Sequence, residues 1–366
     1  MRVHIIGIGG TFMAGVALIA DQLGFEVSGC DQCLYPPMSN VLAQARISVI
    51  EGYDQVVFTS NQYDLVVIGN AISRGNPALE HVLNLGLRYL SGPDFLASYV
   101  LCHKHVLAVA GTHGKTTTTS MLAWILAQGG YNPGFLIGGA ANNFSVSACV
   151  TDSPYFVIEA DEYDTAFFDK RPKFMHYRPH TLLLNNLEFD HADIYTDLEA
   201  IKQQFEYLLR CVPADGVVIA NQEDVQVQAV LSRGCWSNQV HFGLEGGDWQ
   251  ARLLQPDGGV FEIYYQQQVM GTVSWANIGV YNVKNALAAT AAAHAVGVPI
   301  PIIIQALSLF SGVKCRMETL GVVNEVTVVR DFAHHPTAIA QAISARRSVC
   351  PGRLLVVLQL GSRTLQ

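Results

Sequence analysis

Apolar and polar positions along this chain come in short blocks whose period changes several times. Residues 2–6 (RVHII) are an apolar run that ends in Gly7, Gly9 and Gly10, and residues 12–23 follow with helical spacing. Further apolar runs near 26–30 and 64–68 are separated by polar and Pro-rich loops. That order predicts strand, turn, helix and strand, hence a parallel sheet. A second cycle opens at HVLAVA (105–110), passes through a glycine loop into a helix over 115–129, and continues with YFVIEA (155–160) and TLLLNN (181–186) as strands. Residues 248–275 alternate apolar and polar around a Pro-Asp-Gly-Gly turn, which predicts a hairpin attached to that unit. An Ala-rich helix over 282–297 comes next. From about 319 a third unit is predicted: strand VTVVRDF, a helix after Pro336, and strand RLLVVLQL (353–360). Two strands and one helix make a poor core, so this unit reads as incomplete.

Length and composition set the outer limits. With 366 residues, 50% of them hydrophobic, the chain can bury two or three domain cores. A mean hydropathy of +0.25 raises the question of membrane insertion. The longest mildly apolar stretch, 286–307, contains Thr290, His294, Pro299 and Pro301, so no membrane-spanning helix is expected. At the N-terminus, His4 and the glycines at 7, 9, 10 and 15 fit a strand entering a turn better than a secretion signal. The net charge of -8, with no basic run, argues against nonspecific nucleic-acid binding. Eight irregularly spaced cysteines fit reduced thiols in a cytoplasm, and the single C-x-x-C (Cys30 to Cys33) lacks the second pair of a zinc site.

Candidate chemistry gathers where apolar strands end. In GTHGKTTTT (111–119), strand, glycine turn, lysine, hydroxyl run and helix follow in the order of a phosphate-binding P-loop, although Val109 stands where its outer glycine usually lies. Gly111 and Gly114 permit the turn, Lys115 would neutralise β- and γ-phosphate oxygens, and the Thr116 hydroxyl would bind Mg²⁺. VIEADEYD clusters Glu159, Asp161, Glu162 and Asp164 at a second strand end, as oxygen ligands for Mg²⁺ would be; a solvated acidic loop has the same composition. NNLEFDHAD adds Asn186, Glu188, Asp190 and His191 at a third. Gly7-x-Gly9-Gly10, with Asp31 closing the next strand, suits a nucleotide diphosphate; Phe12 in place of a third glycine weakens any dinucleotide reading, and a ligand-free turn has the same pattern. Asn282 and Asn285 share a helical face, and Lys314 and Arg316 follow; solvated side chains would read the same way.

Together these segments resemble the Mur ligase family, ATP-dependent amide-bond-forming enzymes of bacterial cell-wall synthesis. The loop G-T-x-G-K-T-x-T is that family's variant of the P-loop, and GIGGTFMAG, EADE, NLEFDH, the paired asparagines and DFAHHPT match in order. The resemblance implies an α/β fold of three domains. Residues 1–103 would be a Rossmann-like UDP-sugar domain, and 104–318 a central ATPase domain with a parallel sheet and added antiparallel strands. Residues 319–366 would be an incomplete Rossmann-like peptide-binding domain. YPPMS, IGNAISRGNP and EADEYDTAFFDKRPKF resemble the branch that joins UDP-N-acetylmuramate to L-alanyl-γ-D-glutamyl-meso-diaminopimelate in peptidoglycan recycling. The enzyme that adds L-alanine shares the ATP-site residues, and a non-catalytic UDP-sugar or ATP binder is the alternative for a chain whose third domain is cut short.

Roles follow from the resemblance by position. ATP and Mg²⁺ are the implied cofactors, and Lys115, Glu159, His191, Arg316 and Asp331 the implied catalytic residues. Gly111, Thr112, His113, Gly114, Lys115, Thr116, Thr117, Asn282, Asn285, Arg316 and Asp331 would hold the nucleotide. Thr116 and Glu159 would hold one Mg²⁺, and Glu159 with His191 a second. Gly9, Gly10, Asp31, Asn70, Ser73 and His334 would face the substrates, small molecules bound by a cytoplasmic monomer or weak homo-oligomer. Four departures stand out: Tyr281 replaces a histidine, Cys315 precedes Arg316, Arg330 replaces an acid, and the closing motif reads QLGSRTLQ. Counting on from His191 reaches Phe205 or Glu206 where some relatives carry a carbamylated lysine, so no carbamate is expected.

Overall fold

The first apolar run forms the centre of a sheet because neither face of it can be left in water: Val3, Ile5 and Ile6 are fully buried. In the computed structural model, which describes residues 1–56, 58–59 and 61–359, this strand is β1 (Arg2–Ile6). It joins β2 (Glu26–Asp31), β3 (Ser48–Glu51), β4 (Leu65–Ile68) and β5 (Tyr89–Ser91) in the order β3-β2-β1-β4-β5, with all neighbours parallel. Helices α1 (Thr11–Gln22), α2 (Met38–Gln44) and α3 (Pro77–Asn84) connect β1 to β2, β2 to β3 and β4 to β5, a loop joins β3 to β4, and α4 (Gly92–Tyr99) follows β5. The chain runs outward from β1 to β3, then returns to the far side of β1 for β4. The loops after β1 and β4 therefore diverge, which opens the crevice where parallel sheets of this kind bind ligands.

The second sheet is larger. Its parallel part contains β6 (His105–Ala110), β7 (Gly134–Leu136), β9 (Tyr155–Ala160), β12 (Thr181–Leu184), β13 (Val217–Asn221) and β14 (Asn238–Gly243), with the short β8 (Ala148–Cys149) antiparallel at one edge. β10 (Asp164–Ala166) and β11 (Asp169–Pro172) form a separate hairpin. At the other edge β15 (Trp249–Leu253) runs parallel to β14, and β16 (Val260–Tyr265) and β17 (Gln268–Ser274) continue antiparallel. The expected hairpin is therefore part of a three-stranded extension. Helices α5 (Lys115–Gln128), α6 (Leu198–Arg210), α7 (Val225–Ser232), α8 (Val280–Ala295) and α9 (Ile300–Ser308) complete this unit. The local order β9-β6-β12 puts the three motif-bearing strand ends side by side.

The last unit departs from expectation. β18 (Glu318–Val323) and β19 (Val326–Arg330) pair antiparallel, turned by Asn324 and Glu325 at φ +49° and +65°, the geometry of a tight two-residue hairpin turn. α10 (Pro336–Val349) follows as predicted. The strand expected over 353–360 is not formed across 353–359. Leu355 is 76% and Val357 86% exposed there, and no described strand lies beside them to complete a ladder. Leu360 and Gly361 of the closing motif lie outside the described residues.

Candidate active site

After β6 the chain turns through Gly111 and Gly114, at φ +127° and +82°. A Cβ at Gly114 would lie 2.5 Å from Asn285 Oδ1, and one at Gly111 2.9 Å from the Asn186 carbonyl, so both positions demand glycine. Gly114 is the N-cap of α5 and no side chain caps that helix. Its leading N–H groups, at the positive end of a fourteen-residue helix, are thus free to meet an anion. The loop is held from β12's end: Thr112 N–H donates to the Asn186 carbonyl at 3.0 Å, and His113 N–H to Asn186 Oδ1 at 2.7 Å. Lys115 Nζ donates to the Gly111 carbonyl at 2.8 Å and pairs with Glu162 Oε2 at 2.8 Å. Burial opposes its charge, yet Glu162 and Asp161 together hold the ammonium pKa above its ordinary value.

Beside it, Glu159 accepts from Thr116 Oγ1 at 3.3 Å and from Gly138 N–H at 2.6 Å, while burial pushes its carboxyl pKa up. A hard divalent cation suits that pair, since it takes oxygen ligands and would restore the carboxylate's charge. His191, at φ +56°, lies with Nε2 3.4 Å from Glu162 Oε1. Burial opposes its protonation, but the bond to Glu162 raises its pKa on balance. The sequence reading grouped His191 with Glu159; the structure instead sets it against Glu162, and Asp161, Glu162 and His191 offer ligand atoms within 4.8 Å of one another.

The far wall comes from α8 and the last unit. Asn282 and Asn285 are buried, and Asn285 faces Gly114. Arg316 stacks over the Phe332 ring at 4.8 Å, and Asp331 accepts from Met317 N–H and Ala333 N–H, each at 2.7 Å. His334 turns its Nδ1 to the Phe332 carbonyl at 3.1 Å. Arg330, where an acid was expected, pairs with Glu318 across the hairpin at 3.0 Å. Arg330 and Glu318 apart, these side chains and the glycine loop line cavities of about 290 and 160 Å³ that share His113, Gly114, Tyr281, Asn285 and Gln341 as walls.

A loop that presents helix N–H groups, a lysine and a threonine hydroxyl to one cavity, with a carboxylate bonded to that hydroxyl, is suited to a nucleoside triphosphate with its cation. Comparison with known proteins bears on which one. Three family models match in succession: the Mur ligase family, catalytic domain, over residues 2–102; the Mur ligase middle domain over 109–293; and the Mur ligase, glutamate ligase domain over 315–365. The chain belongs to the Mur ligase family. Among Mur ligases it is 50% identical to the UDP-N-acetylmuramate--L-alanyl-gamma-D-glutamyl-meso-2,6-diaminoheptandioate ligase of Escherichia coli (strain K12), across 100% of this chain and 80% of that protein. Identity to the UDP-N-acetylmuramate--L-alanine ligase of Clostridium tetani is 33%, over 98% of this chain and 77% of that one. A crystal structure of the UDP-N-acetylmuramate:L-alanyl-gamma-D-glutamyl-meso-diaminopimelate ligase (MPL) from Neisseria meningitides superposes with a TM-score of 0.80 at 52% identity, covering 86% of this chain and 99% of that one.

Within this Mur ligase fold the first-unit candidates sit apart from the cavity beside Lys115, at the crevice between the β1 and β4 ends. Gly9 and Gly10 precede α1, whose N-cap Gly10 likewise has no side-chain cap. Asn70 and Ser73 lie in the loop after β4, with Ser73 exposed. Asp31 is engaged inside the protein: it accepts from Gly9 N–H at 2.7 Å and from the Tyr53 hydroxyl at 3.0 Å, and so shapes the glycine turn. Glu162 and His335 were absent from the sequence-derived site. Glu162 was visible only as one acid among four, and its selection by Lys115 and His191 depends on how the β9 end folds. His335 Nδ1 lies 3.2 Å from Glu188, which also meets His113 at 3.2 Å, joining the last unit to the phosphate loop.

Proposed function

We propose that this chain uses ATP and Mg²⁺ to join L-alanyl-γ-D-glutamyl-meso-diaminopimelate to UDP-N-acetylmuramate, in peptidoglycan recycling. The observation that carries the reading is the convergence of the α5 N-terminus, Lys115 and Thr116 on one cavity, with Glu159 hydrogen-bonded to Thr116, in a chain half identical throughout to the E. coli ligase of that name. Under this reading the sugar's carboxylate attacks the γ-phosphate, and the peptide amine then displaces phosphate from the acyl phosphate. Two anions must meet in the first step, so neutralisation is the main task of the site. Lys115 would exchange its bonds to Gly111 and Glu162 for phosphate oxygens. Mg²⁺ at Thr116 and Glu159 would supply further positive charge, with His191 and Glu162 near the same phosphates. Asn282 and Asn285 would hold the nucleotide, and Arg316 and Asp331 would bring the last unit to it. Gly9, Gly10, Asn70 and Ser73 would take the UDP-sugar, with Asp31 shaping their turn and His334 facing the peptide side.

The same reading takes residues 1–103, 104–318 and 319–366 as sugar, nucleotide and peptide units of a cytoplasmic monomer or weak homo-oligomer. No described helix is long and apolar enough to cross a membrane. The L-alanine ligase reading uses the same nucleotide residues. What favours the tripeptide is the 163–175 segment, which folds as the β10–β11 hairpin and is tied to the first unit through Asp169, His176 and Asp94. Calorimetry with Mg²⁺-ATP and with UDP-N-acetylmuramate, followed by phosphate release on adding tripeptide or L-alanine, tests it. Tripeptide-dependent release supports the proposal, release with L-alanine alone transfers the chain to the second reading, and binding of neither ligand rejects both.

A further inference from the structure

Lys173 has no role in the site as described so far, yet it lies between that site's two halves. It opens the 3₁₀ turn Lys173–His176 and is only 8% exposed. Its Nζ sits 2.9 Å from Asp161 Oδ2, and the other oxygen of Asp161 is 3.9 Å from Lys115 Nζ. On its other side the ammonium lies 5.5 Å from the centroid of the Phe12 ring and 5.6 Å from that of Tyr163. Phe12 is the second residue of α1, two places after the uncapped Gly10. The ammonium therefore bridges the glycine turn of the first unit and the carboxylate beside the phosphate loop. Aromatic faces attract a cation but accept no conventional hydrogen bond from it, and an ammonium has three donors. Asp161 is the only hydrogen-bond acceptor of Lys173 Nζ among the described residues. Two lysines thus share one acid at the point where substrates from the two units would meet.

We propose that Lys173 receives the carboxylate of the sugar-nucleotide substrate and holds it toward the phosphate loop. The inference rests on the ligase reading above. In the first step a carboxylate oxygen forms a bond to the γ-phosphorus, the bond from that phosphorus to the bridging oxygen breaks, and ADP leaves with the electron pair; no proton moves. Lys115 and the α5 N-terminus neutralise the phosphate side of this encounter, and Lys173 the carboxylate side. Phe12 acts as a wall: its ring attracts the ammonium without competing as an anion, so the lysine keeps donors free for the incoming carboxylate.

The test is calorimetric titration of the full chain with UDP-N-acetylmuramate and with UDP-N-acetylglucosamine, which lacks the lactyl carboxylate. The wild-type chain should bind the former at least about tenfold more tightly, as a charge-assisted hydrogen bond of about 1.5 kcal/mol or more requires. Lys173→Met should bring the two affinities together without changing that for UDP-N-acetylglucosamine, and Lys173→Arg should keep most of the difference. If Lys173→Met loses both sugars, Lys173→Gln provides the same comparison. Undiminished discrimination in the uncharged variant, or none in the wild type, overturns the role of Lys173 and leaves the ligase reading standing. Binding of neither sugar by the wild type rejects the ligase reading, and this inference with it.

Discussion

Gly114→Ala is the sharpest perturbation of the phosphate loop, because backbone and packing both oppose it. The residue sits at φ +82°, where a side chain costs about 1–2 kcal/mol. The new Cβ would lie 2.5 Å from Asn285 Oδ1, so the buried Asn285 side chain must rotate away. That rotation gives up its long 3.5 Å bond to Asn282 Oδ1, for a further loss of about 1 kcal/mol or less. The expected destabilisation is roughly 2–3 kcal/mol. All four tryptophans (Trp124, Trp236, Trp249, Trp275) lie in the unit that contains the loop, so their fluorescence during urea unfolding reports on it directly. Asn285→Ala in the Gly114→Ala background should recover the packing share and leave the backbone share. Mg²⁺-ATP affinity, read by calorimetry, should fall more than tenfold, because the turn can no longer aim its N–H groups. A loss below about 0.5 kcal/mol, the scatter of ordinary surface substitutions, would refute the reasoning.

Other expectations concern charge. Glu162→Gln removes the close partner of Lys115 and His191, and unfolding of the tryptophan-bearing unit should become easier by about 3 kcal/mol; an unchanged urea midpoint would mean that Asp161 alone suffices. The pKa of His191 is raised in the fold, so its contribution is full below pH 6.5 and lost as pH rises through the folded value; in chelator, Glu162→Gln should abolish that slope. His4 behaves in the opposite way: buried between Phe58 and Tyr63, it is held at about 4 against an ordinary 6.5. Protection of β1 amides from hydrogen exchange should therefore weaken by up to about 3 kcal/mol between pH 6.5 and 4, and His4→Leu should flatten the profile. His191→Ala should raise the Mg²⁺ concentration needed for phosphate release, and an unaltered metal titration would remove it from the ion's surroundings.

Much of this protein is written in its linear pattern. The glycine turns after β1 and β6, the helices behind them and the antiparallel edge strands follow from local apolar periodicity and from residues that few backbone conformations accept. Those are short-range properties, so the chain itself determined them. The strand, glycine turn, lysine and helix over 105–128 are legible for the same reason, since they are contiguous. Pairing between distant segments was not. Nothing in EADEYD says which acid will meet Lys115; that depends on β9 lying beside β6, which brings Glu162 onto the lysine and leaves Glu159 to Thr116. Asp31 reads in sequence as a ligand contact, and its bonds from Gly9 N–H and the Tyr53 hydroxyl come only from tertiary packing. The run at 353–359 has the composition of a strand, but a strand also needs a neighbour to bond with, and none of the described residues supplies one. Lys173, undistinguished in sequence, gains its position only because the chain around it folds back against the first unit, with His176 on Asp94 of α4 and Lys173 beside Phe12 of α1. The sequence decided where the backbone turns and where helices and strands can form, while tertiary structure decided which strands find a neighbour and which charges become partners, because both depend on distances that no local pattern encodes.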